Sequence, residues 1–153
     1  MTPELRNLYQ EVIVDHGRRP RNFGTLDDAS QQAEGVNPLC GDRLTLYLKV
    51  VDGRIEAARF SGAGCAISTA SASLLTEAIQ GQPVAEAEAL FKRFHALLTG
   101  PDEVVPEGLG KLAVLAGVRE FPTRIKCATL AWHTLQAALH GDEQPATTED
   151  PAS

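Results

Sequence analysis

The stretch "RLTLYLKVVDGRIEAARF", residues 43–60, restricts the fold more than any other part of the chain. Leu44, Leu46, Leu48 and Val50 alternate with Arg43, Thr45, Tyr47 and Lys49, the period of a strand with one face in a core and the other mostly polar. Asp52-Gly53 follows, a strong two-residue hairpin signal because glycine accepts a positive φ without strain. In the return strand the apolar beat of Ile55 and Ala57 shifts to Ala58 and Phe60, which predicts a bulge. The middle of the chain is therefore an antiparallel hairpin.

Helices surround it. Leu5, Leu8, Tyr9, Val12 and Ile13 have the spacing of one helical face, with Thr2 as N-cap and Pro3 at the first helical position. Residues 17–30 read as loop, and a short strand over 31–36 is weakly signalled. Beyond "GAGC" a helix runs to Gln80 on Ile67, Leu74, Leu75, Ala78 and Ile79, and Gly81 stops it. Its small residues, Ala66, Ser68 and Ala70 to Ser73, permit close backbone approach. Further helices are expected over 85–99, briefly around Leu112 to Ala116, and from Pro122 or Thr123 onward, the last burying Ile125, Ala128, Trp132, Leu135 and Leu139. Strands early and helices late predict an α+β domain, a small antiparallel sheet covered on one face by helices. We place that domain at residues 1–140 and read 141–153 as an acidic, disordered tail.

Charge excludes some partners. The net charge is −6, but the tail "GDEQPATTEDPAS" carries Asp142, Glu143, Glu149 and Asp150 without Lys or Arg, so the body is close to neutral. Such a body lacks the basic face that nucleic acid demands. The cluster Arg18, Arg19 and Arg21 reads either as solvated loop or as a docking patch for an acidic partner. No apolar run approaches the roughly 18 residues of a membrane span, and no export signal opens the chain, so a cytoplasmic protein is expected.

The three cysteines then need a reason. An odd count without an export signal argues against a disulfide framework. Cys40 precedes the hairpin and Cys65 follows it, so antiparallel pairing makes them neighbours across 25 residues of sequence. Cys65 and Cys127 both fall near expected helix starts, where unpaired N–H groups favour a thiolate, and Arg124 and Lys126 push Cys127 the same way. Zinc prefers four ligands, and Asp42, one glycine beyond Cys40, is the natural fourth. His133, six residues after Cys127, lies about 240° around the helix and should not share its ion. Spacing alone leaves an alternative open: three unconnected thiols, a strand-opening aspartate, and turn glycines at Gly62 and Gly64.

Taken together, "LYQEVIVDHGRRPRNFG", "NPLCGDRL", "FSGAGCAISTASASLL" and "FPTRIKCATLAWHTL" resemble, in order and over nearly the whole chain to about residue 140, the SufU branch of the NifU/IscU-like family of iron–sulfur cluster assembly proteins. The resemblance implies a SufE/NifU-like fold with a metal site at one exposed end, its ligands Cys40, Asp42, Cys65 and Cys127. It further implies zinc, and persulfide sulfur taken from a pyridoxal-phosphate cysteine desulfurase of the SufS type and passed to a downstream SUF scaffold or apo-proteins. A relative's other role, holding iron or a transient 2Fe–2S cluster on the three cysteines, is the alternative. A structural-zinc interaction module is a rival from another class, and a free-standing cysteine-nucleophile enzyme finds no histidine placed beside a thiol. Cys40, on a glycine-flanked loop, is the expected sulfur acceptor, and Arg124 the expected residue for orienting a partner.

Departures favour the sulfur-transfer branch. Lys126 stands where scaffold members have histidine before the third cysteine, "FPTRIK" replaces their proline-proline-valine-lysine stretch, and residues 100–120 look like the SufU insertion. A second domain with a CxxC pair, as in full-length NifU, is absent from the sequence.

Overall fold

The computed structural model describes residues 3–38, 41–99, 112, 115, 122–140 and 146–147. The chain runs α1 (Pro3–Arg18), β1 (Gln31–Asn37), β2 (Asp42–Val51), β3 (Arg54–Ala63), α2 (Ala66–Ile79), α3 (Val84–Thr99), α4 (Pro122–His140) and β4 (Ala146–Thr147). The Thr2 cap, the rest of the short helix expected near Leu112, and most of the tail lie outside the described residues.

The hairpin forms as its sequence demands. Asp52 (φ 51°) and Gly53 (φ 75°) both take the left-handed conformation that matches the twist of the flanking strands. Lys49 pairs with Ala57 and Val50 with Ile55, which leaves Glu56 as the extra residue of the bulge. β1 is a full strand antiparallel to β2, from Gln31 opposite Leu48 to Asn37 opposite Asp42. The sheet order is β3-β2-β1-β4. β4 adds a parallel edge to the expected antiparallel sheet: Ala146 and Thr147, within the segment read as tail, pair with Gly35 and Val36.

One face of this sheet is dry. Leu44, Leu46 and Leu48 of β2 and Ile55, Ala58 and Phe60 of β3 are buried there against α2 and α4. Each of these leucine, isoleucine and phenylalanine side chains contributes about 1.5–3 kcal/mol of burial. The other face is polar, with Tyr47 Oη 3.3 Å from Ser61 Oγ and Lys49 Nζ 2.9 Å from Asp28. Trp132 of α4 stacks on Phe94 of α3 at 4.6 Å, and Leu112 and Leu115 are buried in the same core.

α2 is buried on more than one side, and its serines carry the contacts. Ser71 Oγ donates to the Ala128 carbonyl of α4 (2.5 Å) and accepts from Trp132 Nε1 (3.3 Å). On the α1 side, Ser73 Oγ meets His16 Nδ1 at 2.7 Å. One expectation on α1 fails: Leu8 is 46% exposed. The stripe that meets the rest of the molecule is Tyr9, Val12, Ile13 and His16, and at 100° per residue Leu8 falls about 90° off its centre. No helix among the described residues is long and apolar enough to cross a membrane.

Candidate metal centre

The ladder register places the first part of the site. Asn37 ends β1 directly opposite Asp42, which begins β2, and at the far end of the hairpin Arg43 faces Ala63. Asp42 therefore lies beside the chain as it leaves β3 for α2. Gly62 permits this: its φ of 129° suits glycine, and a β-carbon there would overlap the Arg43 carbonyl. It is a strand residue pressed on β2, not the turn glycine that spacing alone allows. Gly64 serves the same approach, since a β-carbon would sit 3.1 Å from Asp42 Oδ1.

Cys65 is the N-cap of α2. Its sulfur accepts from the Ser68 N–H at 3.4 Å, the role an N-cap oxygen usually fills. Its own N–H donates to Asp42 Oδ1 at 2.8 Å, and Sγ stands 3.8 Å from Asp42 Oδ2. The third ligand candidate arrives on α4. Gly35, two residues before Asn37 on the same strand face, leaves room for Thr134 and Leu130; a β-carbon there would collide with Thr134 Oγ1. Cys127 lies on the same helix face, two turns before Thr134, so the close approach at Gly35 brings its sulfur to Asn37. Cys127 is the sixth residue of α4 rather than part of its first turn, so the helix-terminus field reaches it weakly.

One oxygen of Asp42 and the sulfurs of Cys65 and Cys127 lie within 4.8 Å of one another. Asp42 (1% exposed) and Cys127 (3%) are buried, whereas Cys65 opens to solvent. A carboxylate and two thiols suit zinc, whose tetrahedral bond lengths place donor atoms about 3.5–3.8 Å apart, so side-chain shifts of about 1 Å would bring these three onto one ion. Cys40 lies outside the described residues.

Arg124 stands exposed on α4, three residues before Cys127, with its guanidinium beside the Tyr9 hydroxyl of α1. Burial pushes the Tyr9 phenol up; the Arg124 guanidinium opposes this, and Cys65 reinforces it. Tyr9 thus belongs to the rim of the site, although its sequence position marks it only as apolar helix face. Among the described residues the histidines sit elsewhere: His16 on Ser73, His95 and His133 against Phe91, His140 beside Gln136. Asn37 is the residue that sequence reasoning missed. Its amide donates toward both Asp42 Oδ2 and Cys127 Sγ, each at 3.5 Å.

Fold and site together define a small α+β module that gathers two cysteine sulfurs and a carboxylate where strand ends meet two helices. The chain belongs to the NifU-like N-terminal domain family, whose sequence profile matches residues 8–141. It is 42% identical over 139 residues to the zinc-dependent sulfurtransferase SufU of Bacillus subtilis, covering 91% of this chain and 94% of that one. It is also 42% identical over 136 residues to the iron–sulfur cluster assembly scaffold protein IscU of Streptococcus pyogenes, covering 89% and 85% respectively. The crystal structure of FiSufU, described as an iron–sulfur cluster assembly scaffold protein for the SUF system of Fervidobacterium islandicum, superposes with a TM-score of 0.81 at 33% identity, covering 88% of this chain and 98% of that one.

Proposed function

We propose that this protein serves iron–sulfur cluster assembly as a zinc-dependent acceptor of persulfide sulfur, working in the cytoplasm with a pyridoxal-phosphate cysteine desulfurase of the SufS type. The observation that carries this reading is the convergence of Asp42, Cys65 and Cys127 from three separate elements. The likeness to SufU supports zinc as the ion and sulfur transfer as the task. Cys40, Asp42, Cys65 and Cys127 would hold the metal, which when bound supplies positive charge that keeps thiols ionised and brings no redox chemistry of its own.

The chain's residues divide the work. Cys65 and Cys127, on helices, are the anchors. Asp42, an oxygen donor among sulfurs, tunes the metal. Cys40 is the acceptor: its thiolate attacks the outer sulfur of the desulfurase persulfide, a new S–S bond forms, and the donor's S–S bond breaks. The desulfurase cysteine leaves as thiolate, and the proton stays on the transferred sulfur, so no external oxidant or reductant is needed. Arg124, exposed beside Tyr9, orients the incoming partner. A downstream SUF scaffold or apo-protein then receives the sulfur.

The test uses ³⁵S-cysteine, a SufS-type desulfurase and this protein. One reducible label per chain is expected, lost in Cys40→Ala; label confined to the desulfurase would refute the proposal. The scaffold role, favoured by the likeness to IscU, predicts instead a 2Fe–2S absorbance on anaerobic reconstitution with iron and sulfide.

A further inference from the structure

We infer that Asn37 is a positioning residue that sets the Asp42 carboxylate and the Cys127 sulfur in ligating geometry, an inference that rests on the metal-binding part of the reading above. Three observations carry it. First, the residue is wholly buried, at 0% exposure, so water cannot take over its contacts. Second, its amide nitrogen lies 3.5 Å from Asp42 Oδ2 and 3.5 Å from Cys127 Sγ, and an amide carries two hydrogens, one for each acceptor. Both neighbours accept, which also fixes the amide's orientation. Third, Asn37 and Asp42 are cross-strand partners at the end of the β1–β2 ladder, so their side chains leave the same face of the sheet.

The chemistry asks for such a group. A buried carboxylate and a buried thiolate side by side repel until a cation separates them, and each costs desolvation energy. The Asn37 amide places partial positive charge against both before any ion arrives. Asp42 is then held at both oxygens: Oδ1 by the Cys65 N–H at 2.8 Å, Oδ2 by Asn37. Cys127, reached from α4, is tied to the same strand end. Asn37 thereby couples two ligands carried by separate elements, β2 and α4, and Cys65 is left as the ligand on the open side. Groups that orient metal ligands in this way typically change affinity by about 10- to 100-fold when removed.

The test measures zinc affinity by chelator competition for the full chain, for Asn37→Leu, which keeps the side chain's size without its donors, and for Asn37→Ala. A 10- to 100-fold loss is expected in both, with the Cys–cobalt charge-transfer band of the Co²⁺-substituted protein shifted, a change that a purely structural role would not produce. Wild-type affinity and an unshifted band in a folded variant would overturn the inference while leaving the sulfur-acceptor reading untouched. Should the variants fail to fold, the wild type decides: in ¹⁵N-labelled protein loaded with ¹¹³Cd, the Asn37 amide protons should show coupling to cadmium through the Cys127 sulfur, and absence of that coupling overturns the inference. Wild-type protein that takes up neither zinc nor cadmium would overturn both readings.

Discussion

α2 carries a buried polar cluster on each of two stretches, and the two differ in what they lack. Midway along the helix, Ser73 Oγ meets His16 Nδ1 (2.7 Å) and accepts from the Arg21 N–H (2.8 Å), while Asn22 Nδ2 donates to Thr76 Oγ1 (3.2 Å). Hydroxyl, imidazole, amide and backbone groups there answer one another, and the result is a latch that fixes the end of α1 and the loop behind it. At the helix start, the Asn37 amide and two backbone N–H groups face a carboxylate and two sulfurs. Acceptors of negative character predominate. A cluster of the first kind completes itself, and a cluster of the second kind is completed by a cation.

That contrast can be broken most severely at the ligands. Cys127→Ala should weaken zinc binding by about 1,000-fold, roughly 4 kcal/mol, and leave the α1 latch intact; chelator competition read beside the amide spectrum of residues 16–22 would check both halves. Next comes Gly35→Val, whose side chain would push α4 away from β1 at Thr134 and Leu130. Overpacking there should cost about 2–3 kcal/mol of folding free energy and carry Cys127 away from Asn37, so urea midpoint and zinc affinity should fall together. If stability falls and affinity stays, the close approach at Gly35 is not what delivers Cys127.

Ser73→Ala tests the other cluster. It removes the hydroxyl shared by His16 and Arg21 and should cost about 1–2 kcal/mol in denaturant unfolding, with zinc affinity unchanged. The smallest effect belongs to the loop beyond the latch. The hydrogen bond and charge of Arg21 hold the Asp15 carboxyl below its ordinary range. A depressed folded value means the ion pair's contribution is present above the unfolded value and is lost as pH falls through the folded one. Both groups meet solvent, so the loss is slight. An NMR titration should show Asp15 titrating low, and Arg21→Ala should return it toward the usual carboxylate range.

Much of this was legible in the sequence because the hairpin wrote itself in period and turn chemistry. Leu44, Leu46 and Leu48, the Asp52-Gly53 turn and the bulge in the return strand are all local signals, and their geometry sets Cys40, at the entry to the hairpin, beside Cys65 at its exit, the place where the structure has Asp42 against Cys65. The association of Cys127 with them was readable only through family resemblance, since it depends on α4 settling against β1 at Gly35, a contact between residues about 100 positions apart. Asn37 was opaque for a similar reason: in "VNPLCGD" it reads as a turn former, and its role exists only through cross-strand register. Leu8 misled because a helical stripe read from one sequence has uncertain width, and the partner surface on α2 is narrower than the apolar spacing suggested. β4 was hidden by its composition, which carries no strand period at all.

In the proposed centre Asp42, Cys65 and Cys127 ligate one zinc ion together with Cys40. X-ray absorption at the zinc edge of the purified protein tests it most directly. Ligation by all four requires a shell dominated by sulfur at about 2.3 Å with one oxygen at about 2.0 Å, the oxygen replaced by a fourth sulfur in Asp42→Cys. A shell of nitrogen and oxygen alone, or an oxygen component that persists unchanged in Asp42→Cys, would contradict it.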